Sequence, residues 1–262
     1  MKRVTIILLT LSIIHLASAQ LRISLIPNKF LLENACSKMA IEDAKKLFSQ
    51  NTSCIFSETD TSADIVLKLP TQLLQTLVAD DSYQWKKNNQ TWNLSTASIK
   101  GVANGIYGIM QEILGFKFYH PREMIIPNYA TYQIPEINHF QGQPAFDNIG
   151  FHLHTMHPIE LTEDLLDEKR KGGINRIFEY IDWLARNGQN YFEFNVLESI
   201  ELESWIHHAK KISDYSHQRG IRCGLDLSLH MLQQKAFQLY EAPPYKFGNI
   251  QKQIQYNVGF LI

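Results

Sequence analysis

The stretch Arg176–Val196, RIFEYIDWLARNGQNYFEFNV, passes from an amphipathic helix over Arg176–Asn187 to a strand over Tyr191–Val196. The same alternation extends both ways from it. Upstream, Ile149–His154 reads as a strand; downstream, Ser204–Arg219 reads as a helix and Ile221–Ser228 as another strand. A β-α-β-α-β order predicts parallel strands, because parallel neighbours need a long connection, and right-handed crossovers, because strand twist selects that hand.

Residues before Phe146 follow a different pattern. Leu21–Ile26 alternates like a short strand stopped by Pro27-Asn28, and Asn34 caps a helix whose apolar positions Met39, Ala40, Ala44, Leu47 and Phe48 recur at helical spacing. Ser53–Ser57 and Ala63–Leu69 read as strands, the second rich in β-branched residues and closed by Pro70. Tyr83–Ser98 predicts a hairpin turning at Lys87-Asn88-Asn89. Gly101, Gly105 and Gly108 open a helix with Val102, Ile106, Ile109, Met110 and Ile113 on one face, and their spacing lets it lie close to a sheet. No Lys-Ser/Thr follows them, so they are not a phosphate loop. Gly115 stops that helix, and Phe116–His120 is a strand ended by Pro121. Asn128–Pro144, with prolines and little periodicity, predicts a connection. The expected domains are therefore a small α+β unit over 20–127, a linker over 128–145 and a β/α unit over 146–262.

The sequence has 262 residues, 45% of them hydrophobic, enough to build a core. Its 25 Lys and Arg against 26 Asp and Glu leave a net charge of −1, without the positive field that a nucleic-acid partner demands. Met1–Ala19 has a basic start at Lys2-Arg3, an apolar run from Val4 to Leu16 and a small-residue end at Ala17-Ser18-Ala19. That is the pattern of a secretory signal cleaved before Gln20, so the expected location is the periplasm or the exterior. No later apolar run has the length of a bilayer span, so no membrane partner is expected after cleavage. The 3 cysteines, Cys36, Cys54 and Cys223, show no zinc spacing and read as small buried hydrophobes, with a Cys36–Cys54 pairing left open. Asn51, Asn89 and Asn93 head glycosylation triplets.

Two segments carry a family resemblance. Gly101–Pro127, with its glycine-opened helix followed by Gly115-Phe-Lys-Phe-Tyr-His-Pro121 and Ile125-Ile-Pro127, resembles the α+β domain that precedes the barrel in family-20 β-hexosaminidases and family-67 α-glucuronidases. Gly115–Pro121 is the more similar to the glucuronidase form. In such enzymes the first barrel strand leads to a helix of the type Arg-x-Ile-Asp-x-Leu-Ala-x-x-x-x-Asn and a strand ending in polar residues. The run Arg176–Asn195 is similar to that arrangement. Asn148 stands where family-20 enzymes carry a sugar-gripping arginine, and Glu193-Phe-Asn195 replaces their histidine-rich strand end.

The resemblance implies an α/β fold: a small α+β domain followed by the first part, about three βα units, of a TIM barrel. About 115 residues follow Phe146, fewer than half of the roughly 250 in a typical barrel. The expectation is an exported glycoside hydrolase-like protein, in a truncated form lacking the later strands, that acts on an oligosaccharide or glycoside. No cofactor or metal is implied.

In a barrel the site lies at the C-terminal strand ends, and side chains alternate between the interior and the helix layer. With Phe151 and Leu153, Phe192 and Phe194, and Leu225 and Leu227 facing helices, the inward residues are His152, His154, Glu193, Asn195, Asp226 and Ser228. His152, His154, Glu193, Asn195 and Asp226 are the candidate substrate-binding residues. Each also has a plainer reading as a core or capping group. Glycoside hydrolysis needs two carboxyl groups across the bond. Glu193 and Asp226 are not assigned as that pair, so the catalytic residues stay unknown. Trp183 and Trp205 are expected in the core, His207-His208 on an exposed helix face, and His157, Glu160 and Glu198 in loops. Two other readings are a non-catalytic carbohydrate-binding fragment and a metal-dependent amidohydrolase using His152-Leu-His154.

Overall fold

The described residues form a six-stranded sheet, a three-stranded sheet, a two-stranded hairpin and the helices packed on them, seen here in a computed structural model that describes residues 20–75, 81–153, 159–196, 200 and 202–226. The signal segment, His154, His157, Glu198, Leu227 and Ser228 lie outside the described residues. No helix among the described residues is long and apolar enough to cross a membrane.

The first sheet grows from β1 (Leu21–Ile26). After Pro27 the chain makes a short helix α1 (Lys29–Leu32) and then α2 (Ala35–Gln50), where the Asn34 side chain accepts from the Cys36 amide at 3.1 Å. That bond satisfies one of the donors a helix start leaves free. The buried stripe of α2 is Ala40, Ile41, Ala44, Leu47 and Phe48. Strands β2 (Cys54–Ser57) and β3 (Ile65–Lys68) flank β1, both parallel to it. Strands β4 (Tyr83–Asn88) and β5 (Thr91–Thr96) form the hairpin, which turns one residue later than expected, with Asn89 taking the left-handed conformation at φ 57°. Asparagine tolerates that conformation better than other side chains do.

Helix α3 (Ile99–Glu112) is capped by the Ser98 hydroxyl and packs its glycine stripe on this sheet. A Cβ at Gly105 would come within 2.6 Å of Leu94. The missing side chain lets Trp85 Nε1 donate to the Gly105 carbonyl at 2.8 Å. Gly115, at φ +78°, turns the chain into β6 (Lys117–His120), which pairs antiparallel with β7 (Glu123–Ile125) as a separate hairpin.

The expected linker contains a strand. β8 (His139–Gly142) pairs antiparallel with β4 and completes a six-stranded sheet of order β2-β1-β3-β5-β4-β8. Its warrant is one residue: Phe140 lies opposite Trp85 and sets its ring edge-on to Tyr83 and Trp92. His-Phe-Gln-Gly is too short and polar to show a period-two pattern.

The second sheet has the order β11-β10-β9, parallel throughout, from β9 (Gly150–Leu153), β10 (Tyr191–Asn195) and β11 (Arg222–Asp226). Between them run α4 (Ile159–Leu166), α5 (Gly173–Arg186) and α6 (Leu202–Gln218). Phe192, Phe194 and Leu153 are buried on the helix side, with Phe192 against Tyr180 and Phe194 against Trp205. Helix α4 was expected as loop, and it includes Glu160. Its Asp164, 1% exposed, is gripped by Arg176 and by Arg170 at 3.0 Å. The expected exposure of His208 is also corrected: it is buried, with Nε2 2.8 Å from the Asp164 carbonyl. Trp205 is core, whereas Trp183 is partly buried and donates to the Phe118 carbonyl at 3.0 Å.

One continuous apolar core runs through both halves. At their junction Arg186 of α5 makes a two-pronged pair with Asp43 of α2, at 2.7 and 2.8 Å. Tyr107 of α3 donates to the same carboxylate at 2.9 Å, and Arg219 donates to the Tyr107 oxygen at 3.2 Å. All three cysteines are free. Burial pushes the Cys54 thiol up to about 11 and the Cys223 thiol to about 12, and it raises that of Cys36 as well. Asn51, one of the glycosylation asparagines, is buried and donates to the Pro127 carbonyl at 2.9 Å.

Candidate functional site at the strand ends

Because β9, β10 and β11 are parallel, their C-terminal ends open on one edge. The registers place His152 beside Glu193 and Asn195 beside Asp226. Phe192 and Phe194 take the helix side, so Glu193 and Asn195 take the other face, as strand alternation requires. The result is a connected group. His152 Nδ1 lies 2.7 Å from Glu193 Oε1, and Asn195 Nδ2 lies 3.4 Å from His152 Nε2. Asp226 Oδ2 stands 3.9 Å from the same Nε2, too far for a hydrogen bond.

The group includes a residue the alternation could have named, since Tyr191 sits two positions before Glu193. Its hydroxyl donates to Glu193 Oε2. The hydrogen bond from Tyr191, followed by that from His152, holds the Glu193 carboxyl below its ordinary range. The same bond pushes the Tyr191 phenol up to about 12. The side chains of His152, Glu193 and Asp226 are 40%, 31% and 47% exposed, so the cluster faces solvent and its charges are screened.

Four of the five candidate residues thus meet at one edge; His154 lies outside the described residues. Among the described residues no group of three or more His, Cys, Asp or Glu side chains is disposed to hold a metal ion. His152 already turns Nδ1 to Glu193 and Nε2 to Asn195. What the cluster offers is two carboxylate groups, an imidazole and an amide at the rim of a sheet. That is a set of donors and acceptors suited to hydroxyl-rich ligands.

Solved structures resemble the fold of this chain at low sequence identity. A family GH115 4-O-methyl-α-glucuronidase with specificity for decorated arabinogalactans superposes with a TM-score of 0.58 at 9% identity, over 89% of this chain and 32% of its own. A family GH138 enzyme targeting pectin rhamnogalacturonan II gives 0.51 at 10% identity, over 78% of this chain and 24% of its own. A Streptomyces plicatus β-hexosaminidase with its product GlcNAc gives 0.47 at 11% identity, over 79% and 41%. The chain spans between 24% and 41% of these enzymes' lengths. No protein-family model matches the sequence, and no curated protein does.

Proposed function

We propose that this chain is an exported glycoside hydrolase-like protein, with β9, β10 and β11 arranged as the opening strands of a TIM barrel are. His152, Glu193, Asn195 and Asp226 then contact the hydroxyls of a glycoside or oligosaccharide. The observation that carries this reading is the convergence of four polar side chains at the ends of three neighbouring parallel strands. The fold shared with the GH115 glucuronidase supports it. Export to the periplasm or exterior rests on the signal pattern of Met1–Ala19.

The electrostatics favour a binding role for Glu193 over that of proton donor. A general acid needs its proton near neutral pH and hence a raised pKa, whereas two hydrogen bonds keep Glu193 ionised. An ionised carboxylate beside an imidazole accepts from sugar hydroxyls.

The test is titration of the full chain with uronic-acid and N-acetylhexosamine oligosaccharides, read by calorimetry, together with chromogenic glycosides of the same sugars. Saturable binding that His152→Ala weakens at least tenfold is the expected result. Binding without release of the chromophore would favour the non-catalytic carbohydrate-binding reading. Absence of binding to every glycan would overturn the proposal.

A further inference from the structure

The cluster at the strand ends is arranged in tiers. Tyr191 lies between Gly150 on β9 and Arg222 on β11, and Glu193 lies between His152 and Gly224. Two of these neighbours are glycines, and at Gly224 the reason is spatial. A Cβ there would come within 2.6 Å of the Tyr191 hydroxyl and 3.2 Å of Glu193 Cβ. The bare backbone leaves a lane along which the phenol lies flat across the sheet. Arg222, two residues before Gly224 on the same strand, sets its guanidinium carbon 5.9 Å from the centre of the Tyr191 ring, a separation at which a cation is attracted by the ring face.

The lane delivers the Tyr191 hydroxyl to one oxygen of Glu193 and leaves the other for His152 Nδ1. A carboxylate accepts, so neutral His152 carries its proton on Nδ1 and leaves Nε2 as a bare acceptor. The Asn195 amide nitrogen, at 3.4 Å from Nε2, suits that assignment. Nε2 is also the atom on the side of Asp226.

We propose that Tyr191 is a positioning residue: by way of Glu193 it fixes His152 in the Nδ1–H form and so aims an acceptor nitrogen at the ligand, with Gly224 keeping its path clear. The ligand group that nitrogen takes is a hydroxyl, which replaces the long Asn195 contact by donating to Nε2 and accepts from the freed Asn195 amide. The assignment of that hydroxyl to a sugar rests on the function proposed above; the relay itself does not.

The experiment is nitrogen-15 NMR of the histidine side chains in the ligand-free full chain, above the pH at which His152 loses its second proton. The wild type is expected to show His152 with a protonated Nδ1 and an unprotonated Nε2. Tyr191→Phe removes the hydroxyl and keeps the ring, and Gly224→Ala pushes the hydroxyl aside. Both release the Glu193 carboxylate from its anchor so that it can turn to solvent, and are therefore expected to shift His152 toward the Nε2–H form and to weaken oligosaccharide binding three- to tenfold, with thermal midpoints near wild type. Glu193→Gln leaves one acceptor oxygen for two donors and puts an amide N–H2 in place of the other, so it is expected to shift His152 toward the Nε2–H form as well. A His152 tautomer unchanged in both Tyr191→Phe and Gly224→Ala would overturn the relay, whatever the sugar result. A tautomer shift in a protein that binds no glycan would uphold the relay and remove the proposed function instead.

Discussion

Two polar networks each join a tyrosine to a carboxylate and differ in where they sit. At the junction of the two halves, Asp43, Tyr107, Arg186 and Arg219 are all buried. At the strand ends, His152, Glu193 and Asp226 are each between about a third and a half exposed. The first network is sealed, so every charge needs a partner; burial alone would raise the Asp43 carboxyl, but hydrogen bonding and charge from Arg186, with Arg219 and Tyr107 behind, hold it below its ordinary value. The second is open, and its groups keep capacity for further bonds. Sealing turns polar residues into structure, and exposure at a convergent edge leaves them for a ligand.

The comparison breaks most sharply on loss of a sealed charge. Asp43→Ala leaves Arg186 buried without its partner, so unfolding free energy is expected to drop by about 3–5 kcal/mol, measured by urea denaturation. Tyr107→Phe keeps the ring and loses the hydroxyl between Asp43 and Arg219. Its expected cost is about 1–2 kcal/mol, from one unmet buried bond. Acid sharpens the contrast further. A carboxyl whose folded pKa is depressed contributes stability that is whole above its unfolded pKa of about 4 and is lost as pH falls through the folded value. Asp43→Asn should therefore flatten the acid limb of a stability–pH profile, and Glu193→Gln should leave it nearly unchanged because the open site is screened. The smallest effect is on folding itself: Glu193→Gln should alter stability by less than about 1 kcal/mol, as exposed pairs do.

Much of the architecture was legible locally. Asn34 announces α2 and Ser98 immediately precedes α3, while Tyr191-Phe-Glu-Phe-Asn195 declares which side chains share a face. What escaped was set by partners far along the chain. Strand β8 exists because Phe140 meets Trp85 and Trp92, and nothing within His-Phe-Gln-Gly reveals that. Asp43 and Arg186 stand 143 residues apart, and each reads locally as a polar position on a helix. Helix α4 is hidden for a related reason, since its buried Asp164 looks like a surface acid until Arg170 and Arg176 fold back onto it. The candidate site was more readable than the junction because strand alternation is a short-range rule. Tyr191 obeys that rule too, but its tie to Glu193 depends on the absence of a side chain at Gly224, which only the register reveals.

The most direct test of the account is a glycan titration of Glu193→Gln beside the wild type, with the unfolding midpoint measured on the same samples. The account predicts a midpoint close to wild type and an affinity at least tenfold weaker. An unchanged affinity in a folded variant would contradict it, and the strand ends would then be ordinary surface.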